Sequence, residues 1–199
     1  MSGEIKRSLA ATLQLILGKD EALNELDVSY DGLLESFKGL AIVAVIDALL
    51  LYLTHSARVE IGTEKIENIG LSVTLALGIA LVAYFASMFG LYALCRTPDL
   101  QGRFYAAFTV NNWAAVIVSL IFVPVTLLVI ALRAQAPTPD GIDPLGYITL
   151  PALFLAIFIG VRLLKVSLNI GWGGAAMLFG ITTVVSLTVE SWLRAAAGA

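Results

Sequence analysis

The sequence predicts an all-α fold: a polytopic membrane helix bundle with five transmembrane helices and an N-terminal amphipathic helix. Three observations predict it. Of the 199 residues, 59% are hydrophobic and only 14% are charged, against roughly 45–50% and about 25% in soluble domains. The mean hydropathy is +0.91. The apolar residues are gathered into long continuous runs, too unbroken for the alternating strands of a membrane barrel, and lipid then leaves the helix as the way to satisfy the backbone. The same composition excludes an ordinary soluble enzyme, and it excludes disorder, which needs low hydrophobicity. A net charge of −3 argues against a nucleic-acid partner, because neutralising phosphates requires a basic surface. One cysteine, Cys95, makes no internal disulfide.

Residues 1–26 are read as the amphipathic helix. Ile5, Leu9, Leu13, Ile16 and Leu17 recur at helical spacing, with Glu4, Lys6, Arg7, Gln14 and Lys19 between them. That pattern differs from the solid apolar block of a signal peptide. Two placements stay open: an interfacial helix in the headgroup plane, or a short helix packed under the bundle. Residues 27–199 form the transmembrane domain. At its start, Ser29 or Asp27 is positioned to cap the next helix. The spans are about Phe37–Thr54, Ile69–Leu94, Phe104–Leu132, Tyr147–Leu168 and Trp172–Leu193, each near the length of about 20 residues that a bilayer needs. Pro124 is expected to kink the third span. The connector Arg133–Gly146 is stiffened by Pro137, Pro139 and Pro144. Its Asp140 and Asp143 are read as turn formers, too few for a calcium loop.

Basic residues orient the bundle. Lys6, Arg7, Lys19, Lys38, Arg96, Arg103, Arg162 and Lys165 fall on one side, and Arg58, Lys65, Arg133 and Arg194 on the other. The positive-inside rule then puts the N-terminus in the cytoplasm and the C-terminus outside. Trp172, Trp192, Tyr147 and Tyr52 fall near the predicted interfaces, as aromatic belts do.

Asp47 is the most informative residue, because an acid at mid-bilayer costs about 2.5–3.5 kcal/mol. By helical rise, Asp47 lies about 14 Å from Lys38, Asn111 about 12 Å from Arg103, and Arg162 roughly 10 Å from Asn169. Asp47, Asn111, Asn112 and Arg162 are therefore expected to form one buried polar layer. It reads either as a proton or substrate relay or as an interhelical clasp, whose bonds are worth about 0.6–2 kcal/mol each. Arg162 and Lys165 also have stems long enough to reach the interface. Glu190, His55 and Arg58 share the opposite end. One His and one Cys at opposite faces supply no zinc site. Ala76, Ala80, Ala83, Ser87 and Gly90 form a helix-packing stripe of small residues, and Gly173, Ala176 and Gly180 a shorter one; both allow close helix approach. The sequence carries no phosphate loop, metalloprotease helix or nucleophile elbow, so neither catalysis nor a cofactor is expected.

Three segments carry a family resemblance: Leu26-Asp-Val-Ser-Tyr-Asp-Gly-Leu-Leu-Glu-Ser-Phe37, Tyr105-Ala-Ala-Phe-Thr-Val-Asn-Asn-Trp113 and Leu168-Asn-Ile-Gly-Trp-Gly-Gly174. Together they resemble the Yip-domain family of five-span membrane proteins, in its bacterial branch. The resemblance implies a non-enzymatic inner-membrane protein that works through partners. The chain lacks the long N-terminal region of the eukaryotic, Rab-linked members, so Rab binding does not carry over. The expected partners are membrane lipids and either a membrane protein or a second copy of the chain. The expected role is an interaction, organising or accessory subunit; the alternative is a small transporter or channel built around Asp47.

Overall fold

The protein is an all-α membrane helix bundle. The computed structural model describes residues 2–60, 69–97, 100, 102–135 and 146–197, and every regular element among them is helical. In chain order these are α1 (Ser2–Ile16), a 3-10 turn (Asp20–Glu25), α2 (Tyr30–Glu60), α3 (Ile69–Leu94), α4 (Phe104–Gln135), α5 (Gly146–Leu168) and α6 (Trp172–Ala197). Helices α2 to α6 are each long and apolar enough to cross a membrane. Lys65, Pro137, Pro139, Asp140, Asp143 and Pro144 lie outside the described residues.

Helix α2 begins at Tyr30, seven residues before the expected span, at the cap that the sequence offered. Ser29 Oγ accepts the Gly32 N–H at 3.2 Å, and the Ser29 carbonyl accepts the Leu33 N–H at 2.9 Å. The Ser29 N–H is itself taken by Asp27 Oδ1 at 3.0 Å. In a capping box, a glutamate at the third helical position performs that last task. Here that position is Gly32, and Asp27 does the work from outside the helix. Glycine is required there, because a Cβ would sit 1.9 Å from the Asp27 carbonyl oxygen.

Two other turns close by the same geometry. Gly18 (φ 108°) ends α1 and Asn169 (φ 54°) ends α5. In each, the following N–H reaches back five residues: Lys19 to Gln14 at 2.9 Å and Ile170 to Lys165 at 3.1 Å. This is the Schellman closure of a helix C-terminus, which needs a left-handed residue that glycine and asparagine tolerate.

The turn at Gly18 folds α1 onto the bundle, against α4 and α5. Ala11, Thr12 and Leu15 are fully buried, among Val110, Trp113, Ala114, Ile159 and Leu163. Helix α1 thus packs on the bundle through one part of its apolar face, while Leu13 and Leu17 stay exposed, at 45% and 71%. We call the end that α1 covers proximal and the opposite end distal. Helix α2 packs mainly along α4, α3 along α6, and α4 along α5. Helix α4 continues through Pro124.

Packing differs sharply along the bundle. A proximal cluster joins Leu33, Met88, Leu91, Cys95, Phe108, Leu168 and Ala175. Beyond Gly39 in α2, Val116 in α4 and Thr182 in α6, no described residue of those helices is buried. Small residues make the proximal approaches. A Cβ on Gly39 would lie 2.9 Å from the Asn112 carbonyl oxygen, and one on Gly160 would lie 2.2 Å from the Phe179 ring. The α3 stripe divides in the same way. Ala83 and Ser87 are buried and Gly90 faces Val185 of α6, whereas Ala76 and Ala80 line a cavity. On α6, no neighbour lies within 4 Å of a Cβ at Gly173 or Gly180, and Ala176 is exposed.

Candidate functional site

The polar residues of the bundle follow the seam between α2 and α4. These helices run parallel, since Ser36 meets Asn112 and the later Asp47 meets Ser119. On α4, Asn112, Ser119 and Thr126 recur every seven residues, which is two helical turns and therefore one face. On α2, Ser36, Asp47 and Thr54 share a face by the same rule. Successive levels on α4 are about 10 Å apart at the helical rise per residue.

The proximal level is a hydrogen-bonded clasp, two of whose members, Tyr84 and Asn111, also line a cavity of about 220 Å³. Asn112 is fully buried. Its Nδ2 donates to Ser36 Oγ at 2.7 Å, and its Oδ1 accepts from the Tyr84 hydroxyl. Asn111 Nδ2 donates to that same hydroxyl at 3.3 Å. The Ser36 hydroxyl donates in turn to the Leu33 carbonyl at 2.6 Å. Three helices are thereby joined through uncharged groups, each with a partner. Rings of Phe37, Phe85 and Phe108 surround Tyr84 and shield the clasp.

The middle level is different. Asp47 is half-buried and has the Ser119 hydroxyl beside it. Its other surroundings are a cavity of about 320 Å³, lined also by Thr54, Ala76, Ala80, Thr126 and Arg194. A second cavity of about 260 Å³ adjoins it, sharing Leu51, Thr54, Ala76 and Arg194 and adding His55 and Ser72. Arg194 is held by Glu190, through Nε at 3.1 Å and Nη2 at 2.8 Å. The arginine and glutamate offset each other, so Asp47 sets the sign of the chamber when ionised.

Arg162 belongs to neither level. Its Nε donates to the Leu15 carbonyl at 2.9 Å and its Nη2 to Asp20 Oδ1 at 2.6 Å. Lys165 lies 3.9 Å from the other Asp20 oxygen and 5.6 Å above the Trp172 ring. Arg162 therefore fastens the α1 turn to α5, and its guanidinium fills a helix C-terminus whose carbonyls lack intrahelical donors.

The expected layer of Asp47, Asn111, Asn112 and Arg162 thus separates into three places. Only the two asparagines meet. The depth estimate took Lys38 as the membrane edge, but α2 starts at Tyr30 and Ser36 is level with Asn112. Asp47 is then about 16 Å deeper along α2 than that clasp. Tyr84, Ser36 and Ser119 were not singled out by sequence reasoning. The seven-residue recurrence of Asn112, Ser119 and Thr126 was the signal that reveals the seam. His55 and Arg194 do face one cavity; Trp172 and Trp192 are exposed, at 46% and 70%. Among the described residues, no group of His, Cys, Asp and Glu is arranged to hold a metal ion.

No family model, curated protein or solved structure matches this chain.

Proposed function

We propose that this integral membrane protein is a small transporter or channel for a polar cationic solute, with Asp47 as the recognition group. The observation that carries the reading is the open cavity of about 320 Å³ beside Asp47, whose other charged lining residue, Arg194, is paired with Glu190. An intramembrane carboxylate that faces a cavity rather than a cationic partner is costly, and such residues mark substrate and ion paths. The test is thermal unfolding in lipid nanodiscs with sodium, ammonium, methylammonium, choline and spermidine in turn. At least one cation raises the Tm of the wild type and leaves Asp47→Asn unmoved. A wild type indifferent to all five overturns the reading.

A second reading is favoured by a separate observation: the Gly173, Ala176, Gly180 face of α6 meets no neighbour. Small residues on an open helix face support association with another membrane helix. In this reading the chain is a Yip-like, non-enzymatic organising or accessory subunit of a bacterial inner membrane. Recovery of a stoichiometric membrane partner or second copy, lost in Gly180→Leu, supports it; a monomer free of partners in mild detergent sinks it. For orientation, the charge bias supports a cytoplasmic N-terminus. Because Cys95 is buried, Asp140→Cys is expected to label from outside intact cells, and labelling only after lysis reverses the topology.

A further inference from the structure

We propose that Asp47 exchanges a proton with the distal face alone, through the two adjoining cavities, and is sealed from the proximal face by an apolar layer of the α2–α4 seam. This inference rests on the transport reading, adding a coupling ion to its site.

The distal route is continuous in its walls. The cavity at Asp47 and the one at His55 share Thr54, Ala76 and Arg194. His55 lies about 12 Å beyond Asp47 on the same helix. The two volumes, about 320 and 260 Å³, each exceed the share of several waters at about 30 Å³ apiece. Thr54, Ser72 and Thr126 give those waters hydroxyl partners along the way. Asp47 itself offers two carboxylate oxygens, with the Ser119 hydroxyl close by.

The proximal side has a cavity of its own, about 220 Å³ and lined by Tyr84, Asn111, Ser87 and Thr182, which shares no lining residue with the cavity at Asp47. Between the Ser36–Asn112 level and the Asp47–Ser119 level, Ile42 and Val43 of α2 pack against the cluster holding Trp113 and Val116 of α4. Trp113 and Val116 are 3% and 1% exposed. Behind them, the donors of the Asn112 clasp already have partners. A dry apolar layer carries no proton, because it holds no chain of hydrogen-bonding groups.

The charges around Asp47 are few. Helix α3 carries no charged side chain, and its Tyr84 lies in the clasp on the sealed side. The one charged residue of α4 is Arg133, about 21 Å beyond Ser119 along the helix. Helix α6 contributes Arg194, paired with Glu190. Among the described side chains on the elements packed around it, the carboxylate has no ion-pair partner of its own. In the exchange, a hydronium in the distal cavity gives its proton to a carboxylate oxygen of Asp47. An O–H bond forms, water remains, and the resulting neutral acid suits the low-dielectric midplane.

The test uses dicyclohexylcarbodiimide, which adds to protonated carboxyls in apolar surroundings, with the full chain in sealed liposomes sorted to one orientation. Adduct at Asp47 is read by peptide mass spectrometry while the pH on each side is set separately. Lowering the distal pH alone raises the labelling rate, toward about ten-fold per pH unit above the group's pKa. Lowering the proximal pH alone leaves it unchanged. Ala76→Phe, which fills the neck shared by both cavities, slows labelling several-fold with the Tm retained. Labelling that follows the proximal pH, or neither side, overturns the inference. Cation binding in nanodiscs is scored independently. If it depends on Asp47 while labelling ignores distal pH, the inference fails and the transport reading stands. If labelling tracks distal pH and no cation binds, the reverse holds.

Discussion

The proximal and distal halves of this bundle are built from the same five helices of similar hydropathy, yet they pack differently. Proximally, Gly39 brings two backbones together and Gly160 makes room for the Phe179 ring, and polar groups close on each other in the Asn112 clasp. Distally, the helices bury almost nothing against one another, and Asp47, His55 and Arg194 line open cavities. The difference teaches that hydropathy assigns a segment to the membrane without saying whether it meets protein or lipid. Lipid is as apolar as leucine, so close packing depends on small residues and satisfied polar pairs.

The contrast can be broken at its proximal side first. Gly32→Ala puts a Cβ against the Asp27 backbone, which unlike a side chain cannot swing away. A loss of about 3 kcal/mol is expected, the upper end for overpacking, read as a large drop in Tm in detergent. A loss below about 1 kcal/mol would show that α2 does not depend on this cap. Asn112→Ala removes two interhelical bonds and leaves a small void, for an expected loss of about 2 kcal/mol. The double variant with Tyr84→Phe is expected to lose less than the sum, since both act in one network.

Arg162→Ala separates α1 from the rest. Its Asp20 partner is half exposed, so the ion pair is discounted and the expected cost is about 1 kcal/mol. Hydrogen exchange across residues 2–26 should rise while that of α4 stays slow. Protection unchanged in α1 would mean that Ala11 and Leu15 hold the helix unaided. On the distal side, Asp47→Asn sharpens the comparison from the other direction. It gives up a charge that is costly in a membrane and keeps a group able to accept from Ser119. Its Tm is expected to match or exceed that of the wild type while cation binding is lost. A large drop in Tm would make Asp47 a structural partner instead.

The smallest effect concerns pH. The Ser29 hydrogen bonds, with help from Arg7, hold Asp27 below the ordinary aspartate value of 3.8. A depressed carboxyl contributes stability that is complete above its unfolded pKa and is lost as pH falls through the folded one. The wild type should therefore lose Tm more steeply than Asp27→Asn once pH drops below about 4, with parallel curves above it. Parallel curves throughout would remove Asp27 from the cap's energetics.

Much of the fold was legible from residues alone. The apolar runs located every span, because a stretch of that length has few other ways to satisfy its backbone. The start of α2 was legible too, since Ser29 and Asp27 were read as its cap; the span was set at Phe37 because a hydropathy run registers only apolar residues. The candidate site was harder to read. Asn111 and Asn112 were recognised as polar inside a span, but Tyr84 looks aromatic and unremarkable until it is found beside them. Asp47 was singled out by its cost, and its partner Ser119 was overlooked because a serine in a membrane helix is inexpensive.

By itself the sequence determined that the chain enters a membrane, how many times it can cross, and which few residues are out of place there. Those properties follow from transfer energies that each segment carries independently. Only the tertiary structure decided that α1 packs on the bundle, that Arg162 fastens it, and that Asp47 borders a cavity while Asn112 is closed in. The reason is that helix register and partner choice come from contacts between segments distant in sequence. A depth reckoned from one helix end cannot supply them.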